Sequence, residues 1–431
     1  MITTPESRLA LDPELCLKND VDRAILITRP QPLSHDKGPV LRLLHPGDAV
    51  LLSLFDGDRT VQDVGRLWAE LSDKPPVSAD SDVEHLIDLY EGEGALVEVD
   101  ERNRRTVRNY DPMDFVMPAS RVNLTEPRFR KPYTISYMPT LYCPQRCVYC
   151  RARTSPRPED DLIPLRRLQE IFAELRGLGV EVIQLTGGDP FARRDIFDVL
   201  ESIFEEGMVP DIPTKLGLTY YEALRLKDMG VKLVQVSLDT TDPTILDRMV
   251  GVKGYHHRVF RMFDNLRRAG LGVLAHTVLT PMNVPTVGRL VDALGTLGNV
   301  TRLTLTPHGR SLFCHRGELA LGREDRALVE QQVRDRVPLY PTMKITLDGE
   351  RPPCVANRHG FAILPDGRAA VCEGLYDDPG FVMGDLRKQS VMEMWTSPRA
   401  LALRTVEGEP GVAAAGACRS CRLAGAAAAT H

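Results

Sequence analysis

The sequence predicts an α/β chain built on a partial barrel of six strand–helix units, a (β/α)6 arrangement. A small N-terminal domain of winged-helix order precedes the barrel, and a small C-terminal β-hairpin module follows it. Three observations carry this reading. From Tyr133 to about Pro307, strand-like apolar runs alternate with helical patterns, the signature of parallel strands joined by right-handed crossovers. Ahead of that region, residues 1–100 carry strands, helices and turn signals of their own. The cysteines, 9 in all, sort into a tight group after the first barrel strand, a spread group in the tail, and the singles Cys16 and Cys314.

In residues 1–100, Ala24-Ile25-Leu26-Ile27 reads as a strand, and His45–Leu54 carries a helical apolar pattern that ends at the turn Asp56-Gly57. Thr60 is placed as an N-cap, with Asp63 three residues on and Val61, Val64, Leu67, Trp68 and Leu71 following at helical spacing. Asp82–Glu93 reads as a third helix and Ala95–Val99 as a closing strand. This unit has no basic stripe, and a net charge of −5 gives the chain no general affinity for nucleic acid. Residues 101–131, polar and broken by Pro112, Pro118 and Pro127, read as a partly ordered linker.

Residues 132–322 hold the barrel. Strands are expected at 133–141, 181–186, 209–215, 231–238, 272–280 and 301–306, with helices such as 164–176, 192–206, 219–229 and 257–269 between them. Six units favour a partial or open barrel over a closed eight-stranded one, and in either the chemistry sits at the C-terminal strand ends. Residues 323–431 open with a helix to about Val337, followed by a proline-rich turn and a β-rich module from about Met343. No apolar run approaches the roughly 18 residues of a membrane span. The N-terminus lacks the apolar core of a secretory signal, so the expected location is the cytoplasm. There thiols stay reduced, and the cysteines read as metal ligands or reactive groups rather than disulfide partners.

Cys143, Cys147 and Cys150 follow the first barrel strand closely. Three thiolates in one loop suit three irons of a [4Fe–4S] cluster and leave the fourth iron without a protein ligand. The competing structural zinc site needs four ligands closed tetrahedrally, and no fourth Cys or His is near in sequence.

This C-x3-C-x2-C loop resembles that of the radical S-adenosylmethionine (SAM) family. Tyr149 matches the family's aromatic position, which packs near the adenine. Gly187-Gly188-Asp189-Pro190 is similar to the family's glycine-rich acidic motif, in which backbone and acid hold the methionine amino group of SAM; Asp in place of Glu shortens the reach. The resemblance assigns Ser237 and Asp239 to ribose or carboxylate contact, with a helix N-cap as the alternative use of Asp239. Lys215 stands where relatives often carry Thr-Asn-Gly, and partnering the SAM carboxylate is one reading of it. His276, Thr277 and His308 are further candidates to face the cavity.

The tail, with Cys354, a hairpin over Phe361–Arg368, Gly367 five positions before Cys372, Trp395 and Cys418-Arg-Ser-Cys421, resembles the SPASM/twitch extension of radical SAM peptide-modifying enzymes. It lacks the further cysteines of a full SPASM module. Cys354, Cys372, Cys418 and Cys421 suffice for one auxiliary Fe–S cluster, with a zinc ribbon as the alternative. Residues 1–100, best matched over Leu51–Val61, resemble the peptide-recognition element of ribosomal-peptide maturases. The resemblance implies reductive cleavage of SAM to methionine and a 5′-deoxyadenosyl radical that abstracts hydrogen from a precursor peptide held by its leader. It also implies a reductant such as flavodoxin or ferredoxin, and neither nucleic acid nor membrane as partner. Oxidative cross-linking, through a thioether or a carbon–carbon bond, is the expected outcome. The alternatives are epimerisation with Cys314 as hydrogen donor, a small-molecule substrate, and a cluster-holding electron-transfer protein.

Overall fold

The computed structural model describes residues 3–29, 41–92, 94–100, 104–126, 128–309, 316–347 and 356–403. It divides into two compact units, residues 1–131 and 132–431.

The first unit runs β1 (Arg8–Leu11), β2 (Leu15–Asn19), β3 (Ala24–Thr28), β4 (Leu41–Leu44), α1 (Pro46–Ser53), β5 (Asp56–Thr60), α2 (Val61–Ser72), α3 (Pro76–Glu91) and β6 (Leu96–Glu98). Strands β2, β3 and β4 form one antiparallel sheet and β5, β1 and β6 another. Thr60 caps α2 as expected: Asp63 N–H donates to Thr60 Oγ1 at 3.1 Å and Thr60 N–H to Asp63 Oδ2 at 3.1 Å, a reciprocal capping box. The third helix starts at Pro76, six residues before the expected Asp82, because Pro75-Pro76 supplies a preset first turn. Residues 104–126 and 128–131 pack into this unit through the buried Arg23. Its guanidinium donates to the carbonyls of Asn123 at 3.4 Å, Arg128 at 2.6 Å and Glu126, and pairs with buried Asp20 at 2.9 Å. Asp20 in turn accepts from the N–H groups of Arg130 and Lys131.

The second unit runs β7 (Thr134–Tyr137), α4 (Leu165–Gly177), β8 (Val182–Leu185), α5 (Ile196–Glu205), β9 (Val209–Asp211), β10 (Pro213–Thr214), α6 (Tyr220–Asp228), β11 (Leu233–Ser237), α7 (Pro243–Val250), α8 (Tyr255–Arg268), β12 (Gly272–Leu279), α9 (Val287–Thr296) and β13 (Val300–Pro307). After these come α10 (Arg323–Arg334), β14 (Lys344–Leu347), β15 (Gly360–Ile363), β16 (Arg368–Ala370), β17 (Val382–Asp385), α11 (Val391–Trp395) and α12 (Pro398–Ala402). β7, β8 and β9 pair in parallel in one sheet and β10, β11, β12 and β13 in another, each in chain order, as successive βα units require. The strand expected over 209–215 is split at Ile212, because Pro210 and Pro213 have no N–H to give a ladder. The Ile212 carbonyl still accepts from Gln235 N–H at 2.9 Å, which ties the break to β11. The helix expected from 192 starts at Ile196, since Asp189-Pro190 first forms a short 3-10 turn.

Strand side chains alternate between two faces. Ile135, Tyr137, Ile183, Leu185, Val234, Val236, Val273, Ala275, Leu303 and Leu305 face the helices and share one core with Phe172, Val199, Leu226, Phe263 and Leu290. The tail does not stand apart from this wall. β14 pairs in parallel with β13, and β15 pairs in parallel with β7, so tail strands border both outer strands of the barrel. The hairpin expected near 361–368 is the antiparallel β15–β16 pair, turning at Gly367 with φ +87°.

Arg23→Met should destabilise the first unit by about 3 kcal/mol or more, because it strands a buried carboxylate and several carbonyls. Denaturant unfolding of the full chain, followed by fluorescence, measures this. An unchanged transition would show that the Arg23 bonds do not hold residues 123–131.

Candidate iron–sulfur site at the strand ends

The cysteine loop leaves β7 and is clamped on two sides by backbone. On one side Gly188 N–H donates to the Thr140 carbonyl at 2.8 Å and Asp189 N–H to the Tyr142 carbonyl at 3.3 Å. On the other, Arg146 N–H donates to Val250 O and Val148 N–H to Met249 O, both at 2.9 Å. The glycines are what let these chains meet. A Cβ on Gly188 would lie 2.1 Å from the Tyr142 oxygen, and one on Gly251, at φ +68°, 2.7 Å from the Arg146 oxygen. Close backbone approach was expected at Gly187 and Gly188 for a ligand; the structure puts the cysteine loop itself against Gly188. Glu159 adds a further tie, accepting from Thr140 Oγ1 and Leu141 N–H.

Cys143, Cys147 and Cys150 are all free thiols, each partly exposed. Burial pushes the Cys143 thiol up to about 12 and the Cys147 thiol up to about 11, and the neighbouring thiols add to both. A donor set of this kind needs a positive centre to ionise it, which a bound metal supplies. Among the described residues no three His, Cys, Asp or Glu side chains converge on a point that suits one ion. Three free thiols in one loop are a donor set that suits the iron corners of a cluster.

Beside the loop lies a buried charged group. Tyr149, 8% exposed, donates its phenol O–H to Asp239. Lys215 Nζ lies 3.3 Å from Asp239 Oδ2 and 5.2 Å from the Tyr149 ring centroid. Asp239 Oδ1 accepts from Val278 N–H at 3.0 Å. Asp239 is not the N-cap of α7; Asp242 is, accepting from Thr244 and Ile245 N–H at 3.0 and 3.1 Å. Burial works against the Lys215 ammonium, but Asp239, Cys147 and Cys150 outweigh it and hold its pKa above the ordinary lysine value. Lys215 is thus the cationic partner of Asp239, and its carbonyl accepts from Gln145 Nε2 at 2.9 Å and Tyr255 O–H at 2.7 Å.

Asp189 is committed to its own chain. Its oxygens accept from Thr214 Oγ1 at 2.9 Å, Phe191 N–H at 3.1 Å, Lys215 N–H at 2.7 Å and Leu216 N–H at 3.1 Å. The carboxylate expected to face a ligand ammonium therefore stitches the glycine turn to the end of β10. Ser237 ends β11, partly exposed, on the face opposite the helix core. His276 shares that face and sits 3.0 Å from Thr306 Oγ1. Thr277, one residue on, points the other way, is fully buried and donates to Leu238 O at 2.6 Å. His308 continues past β13, its N–H donating to Leu279 O at 2.8 Å. Cys372, partly exposed, follows β16. Cys314, Cys354, Cys418 and Cys421 lie outside the described residues.

The face of the strands turned away from the helices is polar: Ser136, Gln184, Gln235, Ser237, Thr304 and Thr306 line it. A closed barrel fills this space with branched apolar residues; here it is suited to a polar ligand. The signal was a polar residue at every second position of otherwise apolar strands. Glu373, which meets Ser136 Oγ at 2.9 Å, had no such signal because it reaches this face from the tail.

Gly188→Ala should displace the cysteine loop and lower the iron bound after anaerobic reconstitution several-fold. Gly177→Ala, at a position where a Cβ meets nothing within 4 Å, should leave iron content unchanged. Equal iron in both variants would show that the close approach at Gly188 does not set the loop.

With this geometry in hand, the comparisons with known proteins are specific. The radical SAM superfamily model matches residues 137–294, and an iron–sulfur cluster-binding (SPASM) model matches residues 341–422. The PqqA peptide cyclase of Methylobacterium nodulans is 25% identical over 70% of this chain and 81% of its own length. The GTP 3',8-cyclase of Rhodopseudomonas palustris is 30% identical over 49% of this chain and 62% of its own. Among solved structures, Streptococcus suis SuiB bound to its precursor peptide SuiA superposes with a TM-score of 0.66 at 14% identity, covering 96% of this chain and 94% of that one. No described helix is long and apolar enough to cross a membrane. The cysteine loop, the glycine turn that clamps it and the matched segments on either side of α10 together place the chain in the radical SAM superfamily, as a SPASM-bearing radical SAM enzyme that uses a [4Fe–4S] cluster and SAM.

Proposed function

We propose that the protein modifies a ribosomally made precursor peptide, forming a thioether or carbon–carbon cross-link. The single observation that carries this is the polar inner face of an incomplete barrel directly beside the cysteine loop. That face is lined by hydrogen-bonding side chains that an extended peptide segment can use, with the Glu373 carboxylate at Ser136. The likeness to a peptide cyclase and to a maturase solved with its precursor supports the same reading.

The cluster and SAM supply the hard step, removal of a hydrogen atom from an unreactive C–H bond. The chain's own residues do the rest. Cys143, Cys147 and Cys150 hold three irons. Tyr149, Lys215 and Asp239 form a buried wall beside them that excludes water and offers an ammonium and a carboxylate to SAM, with Gly187, Gly188 and Ser237 at the neighbouring strand ends. Asp189 keeps the glycine turn in place. Cys354, Cys372, Cys418 and Cys421 hold one auxiliary cluster that accepts the electron left by cross-linking. A flavodoxin or ferredoxin reduces the protein.

The first unit is a winged-helix peptide-recognition domain. Among the described residues β4 pairs with β3 alone, so an extended leader can add as a further strand to that sheet. Residues 101–131 then lead from this domain into the barrel at 132, and residues 323–431 carry the auxiliary module.

The test is to reconstitute the chain anaerobically and supply SAM, a reductant and a short peptide encoded beside its gene. Deoxyadenosine and a peptide lighter by two hydrogens are expected, and replacing Cys143, Cys147 and Cys150 by Ala should abolish both. A peptide of unchanged mass carrying solvent deuterium at Cα would instead establish epimerisation. Deleting residues 1–131 should weaken peptide binding at least tenfold while sparing deoxyadenosine formation; equal affinity would refute the recognition role.

A further inference from the structure

The loop's cysteines are not all gripped by the same part of the chain. Around Cys143 and Cys147 the loop bonds to the barrel's own turns at 187–189 and 249–251. Past Cys150 the grip passes mainly to the C-terminal module. Arg151 donates to Glu373 Oε1 at 2.8 Å, with a longer contact to Thr186 Oγ1 at 3.5 Å. Glu373 Oε2 accepts from Ser136 Oγ of β7 at 2.9 Å, so one carboxylate spans the barrel wall and the residue after Cys150. Arg153 pairs with Asp377 at 2.7 Å, and Tyr376 O–H donates to the Arg153 carbonyl at 2.6 Å. Tyr376 is 4% exposed and packs with Met138, Leu364 and Ala370, so the donor of this bond is fixed by packing.

We propose that Glu373, Tyr376 and Asp377 are positioning residues for Cys150, so that the auxiliary module sets the third protein ligand of the SAM-binding cluster. This rests on the reading that Cys143, Cys147 and Cys150 ligate that cluster. Cys372 directly precedes Glu373, so a cluster held through Cys372 restrains the same turn that restrains Cys150. The two sites are then coupled, and the coupling acts in both directions. The ion pairs contribute modestly, since Arg151 and Arg153 are 67% and 72% exposed. The bond from the packed tyrosine contributes more.

The experiment uses the full chain, reconstituted, and follows the rate at which a chelator removes iron. Tyr376→Phe keeps the packing and loses only the bond. Arg153→Asp and Asp377→Arg each reverse one charge, and the double variant restores the pair with its polarity exchanged. Tyr376→Phe and each single reversal should speed loss of the triad's iron about three- to tenfold. The double reversal should return toward the wild-type rate, with the thermal melting point unchanged throughout. A merely structural role would lower the melting point and would not be rescued by the exchanged pair. Wild-type release rates in every variant, or a double reversal no slower than the singles, would overturn this proposal alone. Iron content that does not depend on Cys143, Cys147 and Cys150 would overturn the cluster reading, and this proposal with it.

Discussion

At Gly188 the main chain meets the Tyr142 carbonyl so closely that a methyl group would collide with it at 2.1 Å. The rest of the site depends on this contact. Loops are ordinarily the least determined parts of a fold, yet a cluster needs its thiolates in one arrangement. Here that arrangement comes from hydrogen bonds of the loop's own peptide groups, to the 187–189 turn on one side and to Met249 and Val250 on the other. Asp189 secures the first clamp by accepting from β10 and the residues that follow it. In the second, Gly251 plays the part that Gly188 plays in the first.

Charge explains why the pocket beside the loop is built as it is. Ionised thiolates in a buried place repel one another, and the metal-free thiols resist ionisation accordingly. A bound metal would bring the positive charge that ionises them. Lys215 answers a second problem, the wholly buried Asp239, by lying within ion-pair distance of it and over the Tyr149 ring. A buried charge without a partner would cost several kcal/mol. Asp239 and Lys215 neutralise each other, so the buried group beside the loop carries little net charge.

Much of this was legible in the sequence, and what was not has a physical cause. The parallel strands of the barrel showed in the sequence because one face of each packs apolar side chains on the helices, and Thr60 with Asp63 announced the start of α2 to the residue. The cysteine spacing marked out the loop that the two backbone clamps hold. Asp189 was placed correctly in the chain, but its carboxylate turns to Thr214, Lys215 and Leu216, which lie 25 or more residues away and follow a strand break that no periodicity reveals. Thr277 looked like a neighbour of His276 in the cavity, yet strand alternation turns it into the core. The parallel pairing of β15 with β7 joins residues more than two hundred positions apart. A hairpin signal describes β15 and β16 well and says nothing of the strand that receives them. For the same reason Glu373 could not be foreseen beside Ser136.

Whether Cys143, Cys147 and Cys150 leave one iron open to SAM is tested most directly by electron–nuclear double resonance on the reduced, reconstituted protein. The sample is mixed with SAM carrying 15N in its amino group. A 15N coupling that appears with SAM and is absent from the variant lacking the three cysteines is the expected result. A cluster spectrum unchanged by SAM would contradict the open-iron site.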